Sequence, residues 1–262
     1  MKFGGTSVGD VAAFERVFHI VSTQVERHPV VVVSAMTKVT DALLAAFETA
    51  KKGDVDAAVD SLQPHFDRHV DVTRQFSIPE TSPFHSELEY AREELADLLK
   101  RVSRRSLPLS MLKDAVVSYG EQLSSRLLAE VLKTKGINAR QVDSRRLIVT
   151  DDEYGAAQPI WEDTEKLIKI EIEPMIRDGE VPIMGGFIAA SRGGETTTLG
   201  RGGSDYSAAL VAAALHAKEL QIWTDVTGVM TCDPRICSTA VTIPVLSYEE
   251  AAELAYFGAK VL

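Results

Sequence analysis

Val30-Val31-Val32-Val33 is a short, unbroken run of β-branched residues, the pattern of a strand buried on both faces. Two further runs share its character. Val181-Pro182-Ile183-Met184 leads into Gly185-Gly186, and Leu220-Gln221-Ile222-Trp223 leads into Thr224-Asp225. Each reads as a strand that delivers a polar or glycine-rich loop at its carboxyl end, the edge of an open α/β sheet where ligands sit. Strand-like runs alternate with helical patterns along the chain. The expected fold class is therefore α/β with a largely parallel sheet.

Between Asp41 and about Lys135 the pattern becomes helix-rich. Leu88, Leu95 and Leu99 recur at helical spacing among many charges and are expected in the core. Ser77-Ile78-Pro79-Glu80-Thr81-Ser82-Pro83 is a loop that interrupts the region. The region reads as a helical elaboration on the first lobe, without internal repeats or low-complexity tracts. Arg101, Arg104 and Arg105 read as a solvated helix end that complements the dipole. His65 and His69, four residues apart, have no third ligand and read as a surface pair, not a metal site.

The bulk composition narrows the function classes. The chain has 262 residues, 45% hydrophobic and 25% charged, enough for one large domain or two tightly joined lobes. Its formal net charge of −10 argues against a broad basic face for nucleic acid or anionic membrane. No apolar run is long enough to span a bilayer and no signal-peptide stretch is visible, so a cytoplasmic location is expected. Cys232 and Cys237 are too few for a disulfide framework, and no Cys/His pairs complete a zinc site. Both ends read as clipped: Met1-Lys2-Phe3 is a short strand, and continuation beyond Leu262 is expected.

Three segments carry candidate chemistry. In Lys2-Phe3-Gly4-Gly5-Thr6-Ser7-Val8-Gly9, adjacent glycines let backbone N–H groups approach an anion, and Lys2 adds a full positive charge. Thr6 or Ser7 is expected to cap the following helix. The competing reading is a tight strand-to-helix turn with a surface lysine. No G-x-x-x-x-G-K-[ST] phosphate loop occurs.

In Leu199-Gly200-Arg201-Gly202-Gly203-Ser204-Asp205, three glycines bring backbone close to a neighbour. Ser204 or Asp205 is expected to begin a small-residue helix over Tyr206–Ala217. Arg201 offers a planar fork suited to a carboxylate, and Asp205 is suited to orienting cationic groups or assisting a metal. A capped helix beside a solvated arginine is the alternative. The third segment, Trp223 to Arg235, places hydroxyls, acids and an arginine after a strand, where ribose and phosphates could be held; an ordinary exposed loop looks similar.

Together these segments resemble the amino-acid kinase family, and within it the aspartate kinases. The resemblance rests on Lys2-Phe3-Gly4-Gly5-Thr6-Ser7-Val8, Gly200-Arg201-Gly202-Gly203-Ser204-Asp205, Trp223-Thr224-Asp225-Val226, Asp233-Pro234-Arg235 and Phe257-Gly258-Ala259-Lys260-Val261-Leu262. These strings occur in the family's order and span nearly the whole chain. The implied fold is a three-layer αβα amino-acid kinase-like fold with a mostly parallel central sheet and a helical insertion in the N-terminal lobe. Residues from about 1–190 would bind the amino acid and about 191–262 the nucleotide, with ACT regulatory domains expected to follow.

The implied activity is transfer of the ATP γ-phosphate to the β-carboxylate of L-aspartate, giving 4-phospho-L-aspartate, the first step of lysine, threonine and methionine biosynthesis. The resemblance assigns Lys2, Gly4, Gly5 and Lys260 to the transferring phosphoryl group, with Asp205 organising the centre. Ser34, Thr40, Glu121, Phe187 (through its backbone), Arg201 and Ser204 would line the amino-acid pocket. There Arg201 would grip the α-carboxylate and Glu121 the α-ammonium. Lys2, Gly5, Thr6, Ser7, Thr224, Asp225, Met230, Arg235 and Lys260 would surround the nucleotide, Met230 standing where the family often has tyrosine.

A carboxylate nucleophile is already ionised at neutral pH, so the missing general base is no objection. Mg²⁺ would be bound largely through phosphates and water, without a dedicated protein site. A homodimer or larger assembly is implied. The rivals are another enzyme of the fold, such as glutamate 5-kinase, whose substrate differs by a methylene worth about 1–3 kcal/mol of discrimination, and an inactive ligand-sensing module. Arg201 with Glu121 asks for a carboxylate plus a free amino group, which favours a free amino acid.

Overall fold

A computed structural model describes residues 1–224, 228–233 and 236–256, Ala255 by its backbone alone. The chain divides into two compact units, Met1–Trp223 and Thr224–Leu262.

In the first unit, β1 (Lys2–Phe3) is followed by α1 (Val11–Ser22), β2 (Val31–Val33) and α2 (Val39–Lys51). Then come α3 (Val55–Asp60), α4 (Gln63–Gln75), α5 (Pro83–Arg104), α6 (Leu109–Val117) and α7 (Tyr119–Thr134). The chain continues through β3 (Ala139–Val142), β4 (Val149–Thr150), α8 (Trp161–Arg177), β5 (Val181–Gly185), β6 (Ile188–Ser191) and β7 (Thr196–Thr198). It closes with α9 (Gly203–Ala214) and β8 (Ile222–Trp223). The main sheet has the order β3-β5-β2-β1-β8, and each of its pairings is parallel. A smaller sheet, β4-β6-β7, ends in an antiparallel pair.

The three layers follow from strand alternation, since successive side chains face opposite sides. Val31 and Val33 of β2, with Val181 and Ile183 of β5, enter a core built with Phe14, Phe47, Leu99 and Leu127. Val32 and Met184 point the other way, onto Ile168 and Ile172 of α8 and Val211 of α9. A strand sandwiched between helices has no solvent face, which is why the valine run is unbroken.

The insertion α2–α6 carries Leu88, Leu95 and Leu99 fully buried, as their spacing predicts. Arg105 ends α5 in the left-handed conformation behind Arg101 and Arg104. His69 departs from expectation. It is not a surface residue: it is 1% exposed, with Nδ1 2.7 Å from the His65 carbonyl and Nε2 without a partner. Burial pushes its pKa down to about 4, so a neutral imidazole that donates to the carbonyl fits the site.

In the second unit, Met230 and Thr242 form an antiparallel bridge. There α10 (Tyr248–Tyr256) starts in a reciprocal cap: Ser247 Oγ accepts from the Glu250 N–H, and a Glu250 oxygen accepts from the Ser247 N–H. Among the described residues no helix is long and apolar enough to cross a membrane.

Candidate active site

Parallel register brings several strand ends to one edge. Phe3 aligns with Val33 and with Trp223, and Val33 aligns with Gly185. Within the first unit the chain therefore leaves the sheet at Gly4, Ser34 and Gly186 on the same side. The ladder extends one step further, with Ser34 N–H donating to Phe3 O and Gly186 N–H to Val33 O.

At the first exit, Gly5–Val8 forms a 3₁₀ turn. That turn separates Thr6 and Ser7 from α1, so neither caps it. Asp10 does, its Oδ1 accepting from the Ala13 N–H. A Cβ on Gly5 would lie 2.9 Å from Ala35 O, so only glycine lets the turn rest on the β2 exit. Thr37 Oγ1 donates to Gly5 O at 2.8 Å. Arg68 of α4, which carries no sequence signal, donates to Thr37 O and Gly9 O and clamps both loops. Lys2 is buried, with Nζ 2.8 Å from Asp205 Oδ1. A Cβ on Gly4 would come within 3.8 Å of that same Nζ, so the ammonium sits beneath the glycine turn.

The second glycine string is explained by close approach. Gly200 and Gly202 have φ of +73° and +74°, the left-handed region that glycine enters freely. A Cβ on Gly186 would lie 2.6 Å from Ser204 Cα, and one on Gly203 would lie 2.9 Å from the Phe187 ring. The helix starts at Gly203, earlier than the expected Tyr206, because Gly202 itself makes the turn. Ser204 and Asp205 thus lie inside the first turn, where an acid complements the helix dipole. Arg201 is exposed at the tip of the turn.

Glu121 lies in the first turn of α7, 4% exposed. Its Oε1 accepts from the Ala35 N–H at 3.1 Å, and its Oε2 has no hydrogen-bond partner. Burial pushes this carboxyl up to about 8, with the Ala35 N–H pulling the other way. Glycines again make room, since a Cβ on Gly120 would meet Ala35 at 2.7 Å and one on Gly185 would meet Glu121 O at 2.8 Å. Ser34, half-buried, accepts at its carbonyl from Ser124 Oγ, and Thr40 is half-buried in the first turn of α2. Phe187, at φ +68°, donates its N–H to Ser207 Oγ and accepts at its carbonyl from the Leu199 N–H. Its amide is thus engaged within the protein, and a free lone pair on the carbonyl is what its backbone has left to offer.

The structure thus gathers Lys2, Gly4, Gly5, Ser34, Glu121, Gly186, Ser204 and Asp205 at one sheet edge. Thr224 and Met230 belong to the second unit; Asp225, Arg235 and Lys260 lie outside the described residues. No group of three or more His, Cys, Asp or Glu suited to a metal occurs among the described residues.

The sequence profile of the amino acid kinase family matches residues 1–262. The chain belongs to the amino acid kinase family. Among relatives within that family, it is 38% identical to the lysine-sensitive aspartokinase 3 of Escherichia coli, over all of this chain and 56% of that protein. It is also 38% identical to the chloroplastic aspartokinase 1 of Arabidopsis thaliana, over all of this chain and 46% of that one. The crystal structure of E. coli aspartokinase III in complex with aspartate and ADP superposes with a TM-score of 0.88 at 37% identity, over the whole chain and 56% of that structure. The chain thus spans about half the length of the relatives it matches.

Proposed function

We propose that this chain is the catalytic part of an aspartate kinase, which phosphorylates the β-carboxylate of L-aspartate with ATP. The observation that carries the reading is the Glu121 carboxylate, buried, held by Ala35 and left with one oxygen unpartnered at the sheet edge. Burial without a second partner favours the neutral carboxyl until a cation meets it and draws out the carboxylate, and the α-ammonium of an amino acid is such a cation. Arg201 would take the α-carboxylate. The β-carboxylate would then be directed at the phosphoryl group near Lys2 and the Gly4-Gly5 turn. The aspartokinase relatives, one of them in complex with aspartate and ADP, support the same substrates here.

In the reaction, a carboxylate oxygen forms a bond to the γ-phosphorus while the bond to the ADP oxygen breaks. No proton need be moved. Lys2 and the turn amides would neutralise charge on the phosphoryl oxygens, and Asp205 would hold the Lys2 ammonium in place. Magnesium, when bound, adds positive charge at the phosphates. The donor set fits a cation carried by the nucleotide and water, with Asp205 as the carboxylate at that end. Thr6, Ser7, Thr224, Asp225, Met230, Arg235 and Lys260 would complete the nucleotide side. The assignment places residues of about 1–190 on the amino acid and about 191–262 on the nucleotide. The enzyme is further proposed to be a cytoplasmic homodimer or larger assembly, at the head of lysine, threonine and methionine synthesis.

The test is hydroxylamine trapping with ATP and Mg²⁺, comparing L-aspartate, L-glutamate and no amino acid. Aspartate-dependent hydroxamate that falls at least tenfold in Arg201→Ala at subsaturating aspartate, with ATP binding unchanged, supports the reading. Glutamate-dependent product would make it a glutamate kinase, and ATP binding without product from either would point to a sensing module.

A further inference from the structure

Asp114, which the reaction above does not use, is 1% exposed inside α6. Its carboxylate collects three donors from distant segments. Oδ2 accepts from the N–H groups of Gly155 and Thr198, each at 2.8 Å, and Oδ1 accepts from Thr198 Oγ1 at 3.0 Å. Burial pushes the carboxyl above its ordinary value, while these donors and Lys113 pull it back. A charge-assisted acceptor with three fixed donors is a stiff joint.

What it joins gives it meaning. Only Ser118 separates α6 from α7, so Asp114 and Glu121 share one helical corner. Thr198 ends β7, and the chain then runs through Leu199 and Gly200 into Arg201. Leu199 is tied to Phe187 O, while the Ala157 N–H donates to Thr198 O. Gly200 packs beside the second Asp114 partner, since a Cβ there would lie 3.2 Å from Gly155 O. The Arg201 turn therefore hangs from a frame whose buried fixed point is Asp114.

We propose that Asp114 is a positioning residue that sets the separation between the ammonium grip at Glu121 and the carboxylate grip at Arg201, and thereby the length of amino acid accepted. The inference rests on the aspartate kinase reading for its substrate. The physical reason is that selection by one methylene is weak and needs a rigid frame: a turn free to drift by an ångström accepts both lengths.

The experiment uses the full chain with Asp114→Ala, which removes all three acceptor contacts, and Asp114→Asn, which keeps an acceptor for the two amides. Thr198→Val, which deletes only the hydroxyl, covers the case in which Asp114→Ala does not fold. The expected result for Asp114→Ala is a rise of at least tenfold in KM for aspartate, KM for ATP within twofold, and at least fivefold poorer discrimination against glutamate. Thr198→Val should shift the same parameters less, and Asp114→Asn should recover most of the loss. Amide exchange over residues 196–203 should quicken in Asp114→Ala, or in Thr198→Val if that variant stands in, while β5 stays protected.

Equal rises in both KM values, unchanged discrimination, or unchanged exchange over 196–203 would overturn the proposal. A wild-type chain that makes no hydroxamate from aspartate would instead sink the substrate reading, and the exchange result would still decide whether Asp114 holds the turn.

Discussion

Lys2, in a central strand of the sheet, and Asp205, in the first turn of α9, meet at 2.8 Å although they lie at opposite ends of the first unit. The pair fixes an ammonium directly beneath the Gly4-Gly5 turn. A charge held in advance where negative charge builds up acts on the transition state more than on nucleotide binding. Lys2→Met, which keeps the stem, should lower kcat by at least about 100-fold with KM for ATP changed by no more than about threefold. Steady-state kinetics decides it; an unchanged kcat removes Lys2 from the mechanism.

Glu121 should trade stability for binding. With the folded pKa near 8 against an ordinary 4.5, both folded and unfolded chains hold the proton at low pH. Between these values the unfolded chain ionises first, so stability falls as pH rises through the window, by up to about 5 kcal/mol for a shift of this size. Glu121→Gln removes the titration. The stability difference between variant and wild type should move in the variant's favour from pH 5 to pH 8, measured by denaturant unfolding, while aspartate binding is lost. A difference that does not change with pH contradicts the buried, titrating carboxylate.

His69 works in the opposite direction. Its pKa is near 4 when folded and 6.5 ordinarily. The unfolded chain therefore takes up the proton first as pH falls, and stability drops between about pH 6.5 and 4, by up to about 3 kcal/mol. His69→Leu should flatten that acid limb of the stability profile. An unaltered slope would mean that other groups dominate it.

Gly186→Ala tests the closeness of β5 to α9. The added methyl would meet the Ser204 backbone at 2.6 Å, and the helix must move to admit it. A loss of about 1–3 kcal/mol is expected, a fall of roughly 2–4 °C in Tm per kcal/mol for a chain of this size. Activity should drop further than stability, because Ser204 and Asp205 shift together. Thermal melting and turnover measured side by side would show this; a variant that keeps full activity refutes the tight fit.

What could be read from the chain alone was what local pattern encodes. The apolar runs at Val30–Val33 and Val181–Met184 mark strands because double-sided burial leaves no polar position. The leucines of α5 declare their face by spacing. The glycine strings announce close approach without saying to what, and here it is Ser204, Phe187 and Glu121. Arg68 and Asp114 gave no warning. Each is one polar residue on an amphipathic helix, and its partners lie in remote loops. His69 misled for the same reason, since a histidine on a charged helix reads as solvated until the packing of its neighbours is known. From sequence the start of α9 reads late because Ser204 looks like a cap, whereas Gly202 turns the backbone by its own conformation.

The three valines of β2 face two different cores, Val31 and Val33 one and Val32 the other. A slip or insertion of one residue would exchange every side chain between the cores and carry Ala35 away from Glu121. The strand therefore works as a ruler that tolerates no change of length. A change of length is expected to be better tolerated at an exposed connection such as 52–53, between α2 and α3, which holds none of the site residues. An engineer seeking a place for a tag or an inserted domain should look there, and leave the short strands alone.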